Sequence, residues 1–341
     1  MYKQDVFPRW RGFNLLGMFC SEKSAFHTKE RSPGYFEEDD FKMIADWGFD
    51  FVRVPLSYRV WSSVDNPYEI CEEKIAPLDE AVHFGKKYGI HVNVCMHRVP
   101  GFCVNRDEEI PEKNYFWFDD EALDATVYQW GEIAKRYKDI SSKDLSFNVV
   151  NEPGIDVCIR DYRKCNDKVI NEVRRISPDR LFILDPLQNT NPPIDAMRNY
   201  ENCGYSMHFY EPAAVTHYGV AGRDELVPWP NDQKLDRYGI RNVCNKKEIE
   251  DVVSMWAAIS HCLGVGVHCG EFGTIVNTPH EFACAWTEDL LDVLKKYNIG
   301  FALWNLRGAF GILDSGRRDA EMKDYCGHKL DEKLLKILQK Y

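Results

Sequence analysis

The chain has 341 residues, of which 44% are hydrophobic and 28% charged, as in globular proteins of one large domain or two ordinary ones. Its 43 basic and 54 acidic residues leave a formal net charge of −11. Nucleic acids and anionic membranes are bound through basic patches, so this charge argues against both as partners.

The sequence shows neither an export signal nor a membrane span. Residues 1–8 lack the apolar segment of a signal peptide, and no apolar run approaches membrane length. We therefore expect a cytoplasmic protein, or a secreted one if a signal peptide has been removed. The 12 cysteines include no C-x-x-C pair and no Cys/His cluster at zinc spacing, so we predict free thiols and no metal site.

Short apolar segments alternate with amphipathic segments from one end of the chain to the other. Eight segments are predicted as strands, and in chain order they are 11–16, 51–56, 91–97, 146–151, 181–186, 204–210, 265–271 and 300–306. Most are continuous apolar runs, which is typical of parallel strands that helices cover on the outside.

The segments between the strands show helical spacing. Apolar residues recur every three or four positions from Leu123 to Tyr137, which gives one stripe for packing on a sheet. A similar stripe runs from Ala283 to Tyr297. A further helix is predicted to have Pro77 in its first turn and to end at Gly89.

Eight such βα units predict an α/β protein with a (β/α)8 (TIM) barrel, a single domain over residues 1–341 with elaborated βα loops. A doubly wound open sheet is the alternative. Residues 13–17, after the first strand, lack the Gly-rich turn that binds dinucleotide phosphates in such sheets. Residues 211–247 are predicted to be a long loop insertion after the sixth strand, serving as a lid or substrate-binding loop.

In such a barrel the active site lies at the carboxyl ends of the strands. Polar and aromatic residues recur at these predicted ends, and the candidates are Arg53, His97, Asn151, Glu152, His208, Tyr210, Glu271 and Trp304. Each one alone has a structural explanation, such as an ion pair for a glutamate or core packing for a tryptophan. A stable core gains nothing from so many polar groups at one rim, so together they predict an active site.

Two of these candidates are glutamates at the ends of the fourth and seventh strands. Glu152 follows an apolar run in the sequence Asn-Glu-Pro, and Glu271 follows another. Hydrolysis of a sugar bond with retention needs two carboxyl groups about 5–5.5 Å apart, one protonated and one ionised. Cys269, two residues before Glu271, is interpreted as an interior strand residue rather than as a nucleophile.

The sequence resembles the family 5 glycoside hydrolases, the cellulase family of retaining (β/α)8 glycosidases. The motifs run in family order and span almost the whole chain: residues 52–55 (Val-Arg-Val-Pro), 96–101 (Met-His-Arg-Val-Pro-Gly), 151–153 (Asn-Glu-Pro), 208–210 (His-Phe-Tyr), 270–273 (Gly-Glu-Phe-Gly) and 303–305 (Leu-Trp-Asn). Asn-Glu-Pro alone recurs by chance, whereas the ordered set is specific.

The resemblance implies a role for each candidate. Glu152 resembles the general acid/base, and Glu271 resembles the nucleophile. By the same resemblance, Asn151 would hydrogen-bond the sugar 2-hydroxyl, and Arg53 and Tyr210 would hold Glu271 ionised and oriented. His208 would tune Glu152. His97 would contact the reacting sugar, and Trp304 would provide the surface on which that sugar stacks. The resemblance implies no metal ion and no organic cofactor.

Two positions depart from the family pattern. Cys95 stands where the family often has an aspartate, and Arg98 stands where a second histidine is usual. These changes bear on the electrostatics and substrate preference and leave the carboxylate pair intact. Four aromatic residues in predicted loops could stack either on sugar or on protein, and they are Trp61, Trp117, Trp229 and Tyr218.

The predicted function is that of a retaining glycoside hydrolase that cleaves β-glucosidic bonds of β-glucans or derived oligosaccharides by double displacement. A β-mannanase or other hemicellulase on the same scaffold is one alternative, and a catalytically silent carbohydrate-binding barrel is another. A metal-dependent barrel hydrolase with His97 and His208 as ligands is a third. The expected partner is a β-linked oligo- or polysaccharide, and the sequence sets no oligomeric state.

Overall fold

The computed structural model describes residues 8–20, 35–105, 112–154, 157–187, 200–220, 222–231 and 245–341. These residues form two compact units. The first unit comprises residues 15–187 and 200–206, and the second unit comprises residues 8–14 and 207–341. Within the described ranges, no helix combines the length and apolar character that crossing a membrane requires.

The strands are, in chain order, β1 (Arg11–Asn14), β2 (Phe51–Ser57), β3 (His91–Val99), β4 (Phe102–Cys103), β5 (Leu145–Asn148), β6 (Leu181–Leu184), β7 (Cys203–Phe209), β8 (Gly266–Phe272), β9 (Gly300–Leu303), β10 (Met322–Tyr325) and β11 (His328–Asp331). The helices are α1 (Glu38–Asp46), α2 (Glu72–Tyr88), α3 (Asp120–Arg136), α4 (Ile159–Ile176), α5 (Ala213–Thr216), α6 (Lys246–Leu263), α7 (His280–Lys296) and α8 (Glu332–Lys340).

Each unit contains parallel strands. In the first unit β2, β3, β5, β6 and the start of β7 pair side by side in that order, and β4 pairs antiparallel with the end of β3. In the second unit β9 lies between β8 and β1 and is parallel to both. Strand β7 runs across the boundary between the units. These strands are almost entirely buried, as expected for strands with helices on their outer face.

All eight predicted strands occur within the described residues, and their carboxyl ends are less regular than predicted. Prediction placed residues 146–151 in one strand, whereas β5 ends at Asn148. Residues 300–306 were likewise predicted as a strand, and β9 ends at Leu303. In both places the chain leaves the ladder because its next backbone groups make other contacts. The amide of Asn151, for example, donates to the carbonyl of Met96 at 2.9 Å.

The predicted helical stripes are confirmed, and one predicted helix start is wrong. Helices α3 and α7 bury the stripes that begin at Leu123 and Ala283. Helix α2 begins at Glu72 rather than near Pro77, because two acidic residues there favour the positive end of the helix dipole. It ends as predicted at Gly89, whose φ of 68° is a left-handed conformation that glycine adopts without strain.

The predicted insertion 211–247 is only partly within the described residues. It includes the short helix α5, and α6 begins at its end, at Lys246. Trp229 is buried there and donates its indole N–H to Asp289 at 3.0 Å. The extent of the insertion and the single-domain organisation over residues 1–341 stay predictions.

Arg180, just before β6, holds the amino-terminal side of the sheet in the first unit. Its side chain is fully buried and donates to the carbonyls of Leu145, Tyr137 and Ile140 at 2.8–2.9 Å. Its guanidinium also lies 4.8 Å from the ring centre of Phe147. Burial lowers the pKa of Arg180 to about 10, so the group stays charged at neutral pH. These contacts replace the water that a buried guanidinium loses.

Candidate active site

Arg53 joins the carboxyl-end residues of several strands in the first unit. It lies on β2, is 1% exposed and donates through Nη2 to the Asn151 side-chain oxygen at 2.6 Å. The same nitrogen lies 3.3 Å from Oδ2 of Asp185, and this ion pair is fully buried. It also contacts the thiol of Cys95, on β3, at 3.1 Å. Arg53 therefore links β2 with the ends of β3, β5 and β6.

A tight turn carries Asn151 and Glu152 after β5. Glu152 has φ of 44°, a conformation that residues other than glycine seldom adopt, and its amide donates to Oδ2 of Asp185 at 3.0 Å. This hydrogen bond supports the turn and leaves the Glu152 side chain partly exposed. Asn151 is buried, and its Nδ2 donor has no hydrogen-bond partner among the residues that the structure describes.

His97 and Arg98 end β3 and contact the loop that follows. His97 is 5% exposed, lies edge-on to Phe19 and contacts the side-chain oxygen of Asn105 at 2.8 Å. Arg98 donates to the carbonyl of Asn105 at 3.1 Å and lies 3.5 Å from Glu112. Arg98 thus stabilises a loop, which gives a physical reason for an arginine at this position of the motif.

Glu112 is the centre of this loop contact. Its carboxylate accepts from Arg59 at 2.6 Å, from the Tyr58 hydroxyl at 2.8 Å and from the backbone amide of Gly101 at 3.1 Å. Burial, followed by the charge of Glu112, raises the pKa of Tyr58 well above its ordinary value. The tyrosine therefore remains a donor at any working pH and keeps the loop attached to the end of β2.

In the second unit, Glu271 lies near the end of β8 and is 4% exposed. The hydroxyl of Tyr210 donates to its Oε2 at 3.1 Å, and Nδ1 of His208 lies 3.6 Å from the same oxygen. Both partners come from the end of β7, as the motif His-Phe-Tyr predicts. Hydrogen bonds to an ionised carboxylate favour the charged form, so this setting suits a carboxylate rather than a carboxylic acid.

Cys269 has the interior role that its sequence position indicates. It is completely buried on β8. Burial, followed by the nearby charge of Glu271, raises the pKa of its thiol far above the ordinary value. Because the thiolate is the reactive form of cysteine, this thiol is not a nucleophile at neutral pH. None of the eleven cysteines of the described ranges forms a disulfide.

Trp304 follows β9 and is half-buried. Its amide donates to the carbonyl of Phe272 at 2.8 Å, and the peptide bond that joins it to Asn305 is cis. A Cβ atom on Gly273 would lie 2.5 Å from the Trp304 carbonyl oxygen, so only glycine fits there. This close approach explains the final glycine of the motif Gly-Glu-Phe-Gly and positions the tryptophan next to β8.

Three loop tryptophans that could have stacked on sugar pack on protein instead. Trp61 is 1% exposed and donates to the side chain of Gln129 at 2.8 Å. Trp117 is equally buried and lies edge-on to Phe116, with ring centres 4.6 Å apart. Trp229 is held by Asp289 as described above. Tyr218 is half-buried, and its role stays a prediction.

Sequence reasoning missed Asp185 and Asn148. Asp185 directly follows β6 and is 2% exposed, and Asn148 ends β5 and donates to Oδ1 of Asp185 at 2.6 Å. Both lie at the carboxyl ends of parallel strands, so the rule that found the other candidates also covers these two. Asp185 was overlooked because Asp-Pro after an apolar run has the form of an ordinary strand end.

Comparison with known proteins identifies the class of enzyme. The family model described as Cellulase (glycosyl hydrolase family 5) matches residues 9–309. Cellodextrinase A of Ruminococcus flavefaciens is 27% identical over 298 residues, which cover 85% of this chain and 83% of the relative. Endoglucanase C of Acetivibrio thermocellus is 26% identical over 321 residues, which cover 87% of this chain and 90% of the relative. A crystal structure of a glycoside hydrolase is 31% identical, covers 97% of this chain and 99% of its own, and superposes with a TM-score of 0.86.

The fold is therefore the predicted (β/α)8 barrel, and the protein is an O-glycosyl hydrolase. More closely, the chain belongs to glycosyl hydrolase family 5, the cellulase family. The predicted family is confirmed, and the predicted hydrolysis of β-glucans by a retaining glycosidase agrees with this membership.

Proposed function

We propose that Glu152 and Glu271 are the acid/base and the nucleophile of a retaining β-glucan hydrolase. The observation that carries this assignment is the setting of Glu271, whose buried carboxylate accepts a hydrogen bond from Tyr210 and lies beside His208. A nucleophilic carboxylate must be ionised and held still, and these contacts meet both needs. Glu152 is supported by its partly exposed position on a strained turn, where it can reach a leaving group.

The reaction proceeds in two displacements. An oxygen of Glu271 bonds to the anomeric carbon while the bond from that carbon to the glycosidic oxygen breaks. The proton of Glu152 passes to the glycosidic oxygen, and the first product leaves. Glu152 then takes a proton from water, the water oxygen bonds to the anomeric carbon, and the carboxylate of Glu271 is released. Neither a metal ion nor an organic cofactor takes part in these steps.

The other candidates bind and orient the sugar. The unused Nδ2 donor of Asn151 fits the proposed hydrogen bond to the sugar 2-hydroxyl, because Arg53 holds the opposite side of that amide. Half-buried Trp304 supplies a flat apolar surface of the kind on which sugar rings stack. Arg53, His97 and His208 keep the roles that the family resemblance implies.

The substrate is proposed to be a β-linked glucan chain or an oligosaccharide derived from it. Two relatives that align over most of their length are a cellodextrinase and an endoglucanase, and their names support glucose-based substrates of different lengths. If the protein is cytoplasmic, as its sequence predicts, the substrate is an imported oligosaccharide, since a polymer could not reach the enzyme.

Substitution of each glutamate tests the assignment. We expect Glu271→Gln to lower kcat on an aryl β-cellobioside at least 1,000-fold, because an amide cannot form the covalent intermediate. Glu152→Ala should recover activity with azide on the same activated substrate and release a β-glycosyl azide. The matched control is Glu250→Gln, which removes a partly exposed carboxylate paired with Lys296 and should leave kcat unchanged.

The outcomes separate the rival functions. Full activity of Glu271→Gln would refute the retaining mechanism. Inhibition by a chelator would favour the metal-dependent alternative, and absence of hydrolysis on every substrate would favour the silent binding barrel. Product analysis on β-1,4-, β-1,3- and mixed-linkage glucans, mannan and xylan would distinguish a glucanase from a β-mannanase or other hemicellulase.

A further inference from the structure

Asp185 is a buried carboxylate whose side chain contacts Arg53, Asn148 and the turn that carries Glu152. Its side chain is fully buried. Oδ1 accepts from Asn148 at 2.6 Å, whereas Oδ2 accepts from the amide of Glu152 at 3.0 Å and pairs with Arg53 at 3.3 Å. Burial of an ionised carboxylate away from water costs free energy unless hydrogen-bond donors surround it. Here three donors, from β2 and from the end of β5, contact the Asp185 carboxylate.

The charge of Asp185 acts on Arg53 in a way that the neighbouring thiol cannot. Nη2 of Arg53 contacts the thiol of Cys95 at 3.1 Å and the carboxylate of Asp185 at 3.3 Å. A thiol is a weak, neutral acceptor, whereas a carboxylate neutralises the guanidinium and fixes its direction. The end of β6 therefore supplies a carboxylate to Arg53, whereas the position of Cys95 on β3 supplies only a thiol.

Asp185 also fixes the backbone that carries Glu152. The positive φ of Glu152 is unfavourable for a residue with a side chain, and such conformations persist only where surrounding contacts hold them. The hydrogen bond from the Glu152 amide to Oδ2 is one such contact. Because Oδ2 serves both Arg53 and this amide, a single oxygen couples the guanidinium to the acid/base turn.

We propose that Asp185 is a positioning residue of the active site, which aligns the Glu152 turn with Arg53 and supplies the negative charge between them. This inference rests on the proposed role of Glu152 as acid/base. Asp185 does not touch the substrate and transfers no proton. It acts by holding the turn of the general acid in place and by fixing the direction of the Arg53 guanidinium.

Asp185→Asn separates the charge from the hydrogen bonds. The new amide oxygen can accept from Arg53 and Glu152, and its NH2 group then faces Asn148. Oδ1 of Asn148 has no hydrogen-bond partner within the described part of the chain, so its amide can turn over and accept from that NH2 group. The variant therefore keeps the hydrogen-bond set and loses only the charge.

On cellotetraose we expect Asp185→Asn to lower kcat about 10- to 100-fold with KM changed less than threefold. A merely structural role would lower the folded fraction and leave kcat and KM per folded molecule unchanged. An unchanged kcat in a folded variant would overturn the inference.

Cys95→Asp combined with Asp185→Asn tests whether charge is the cause. The Cys95 position contacts the same nitrogen of Arg53, so a carboxylate there restores the ion pair from β3. We expect the double variant to recover at least half of the loss in the logarithm of kcat. Failure of a folded double variant to recover any of this loss would contradict the role assigned to charge.

Asn148→Ala decides the matter if Asp185→Asn does not fold. It removes one hydrogen bond to Asp185 and leaves the ion pair with Arg53 in place, so kcat should fall about 3- to 10-fold with KM changed less than threefold. Wild-type kcat in this variant would refute the positioning role. The control is Asp331→Asn, which changes a buried carboxylate that accepts from His280 and from the amide of Leu334 and should leave kcat and KM per folded molecule unchanged.

Failure of this inference can be distinguished from failure of the proposed function. If Glu271→Gln is inactive while Asp185→Asn resembles the wild type, the inference about Asp185 fails and the proposed function stands. If Glu271→Gln retains full activity, the proposed function itself fails, whatever Asp185→Asn does.

Discussion

Arg53 and Arg180 are both 1% exposed and both belong to the first unit, yet their partners differ in kind. Arg180 donates to the backbone carbonyls of three residues and lies against the ring of Phe147. Arg53 contacts the side chains of Asn151, Cys95 and Asp185. Backbone partners are available whatever the side chains are, whereas the contacts of Arg53 exist only because particular residues stand at particular strand ends.

The two arginines show how a structural buried charge differs from a functional one. The carbonyl partners of Arg180 need no compensating anion nearby, and they stabilise the fold. Arg53 is satisfied by a network that also contains the proposed acid/base turn. Buried ion pairs are weak evidence for stability, so we infer that the Arg53–Asp185 pair serves the reaction.

The largest expected effect is that of Arg53→Gln on activity. We expect kcat/KM on cellotetraose to fall about 1,000-fold, as is typical when a preorganised charged group of an active site is removed. Steady-state kinetics at a temperature where circular dichroism shows a folded protein would measure it. Arg53→Lys should recover little, because an ammonium cannot reproduce the fork of contacts. Near-normal activity in either variant would place Arg53 in the same class as Arg180.

Arg180→Gln should have the opposite profile. We expect the free energy of unfolding to fall by about 3 kcal/mol, because three buried carbonyls lose their donors. Urea denaturation would measure this loss. The value of kcat/KM per folded molecule should stay within about twofold of the wild type, on the assumption that local repacking does not reach the strand ends. A large loss of kcat in folded Arg180→Gln would remove the distinction between the two arginines.

The smallest expected effect is a pH dependence of stability from His91. This residue is buried on β3, with Nδ1 2.8 Å from the carbonyl of Lys143 and Nε2 2.7 Å from the hydroxyl of Ser146. Burial, with a smaller contribution from the charge of Arg180, lowers its pKa to about 4. The unfolded chain binds this proton near pH 6.5 and the folded chain does not. The stabilising contribution is therefore present above pH 6.5 and is lost as the pH falls towards 4, by at most about 3 kcal/mol.

Urea unfolding of the wild type and His91→Gln at pH 7.0 and 4.5 would measure this contribution, and the variant should lose less stability on acidification. His280 provides a control of opposite sign. Its hydrogen bond from Nε2 to Asp331, with a further contact to Cys284, raises its pKa to about 9. Its contribution, of the order of 1 kcal/mol, is present below pH 6.5 and is lost as the pH rises through 9. Equal pH slopes for the wild type and His91→Gln would contradict the assignment of His91.

Much of the fold follows from the sequence because burial has a simple signature. Continuous apolar runs identify β1 to β3 and β5 to β9, and stripes of period three to four identify α3 and α7. The hairpin of β10 and β11 was missed because its residues are largely polar. Its turn at Cys326 and Gly327, with φ of 49° and 86°, contains a left-handed conformation that a single glycine indicates only weakly.

Part of the site was likewise predicted from local sequence patterns. Glu271, Tyr210 and His208 lie within two strand ends, so short motifs are enough to place them. The contact between Arg53 and Asp185 joins residues 132 positions apart, and its recognition requires the register of the sheet. The burial of Trp61 and Trp117 was beyond reach as well, because it depends on how the loops fold against neighbouring helices.

The buried tryptophans also determine how this protein can be observed. Seven of its nine indoles are buried, whereas Trp47 and Trp304 are half-buried. Unfolding would transfer the seven to water and shift the emission maximum to longer wavelength, which provides an intrinsic fluorescence signal for the denaturation experiments above. Saccharide bound at Trp304 would alter a small part of that emission. Subtraction of the Trp304→Phe emission spectrum from that of the wild type would then isolate the signal of saccharide binding from the signal of folding.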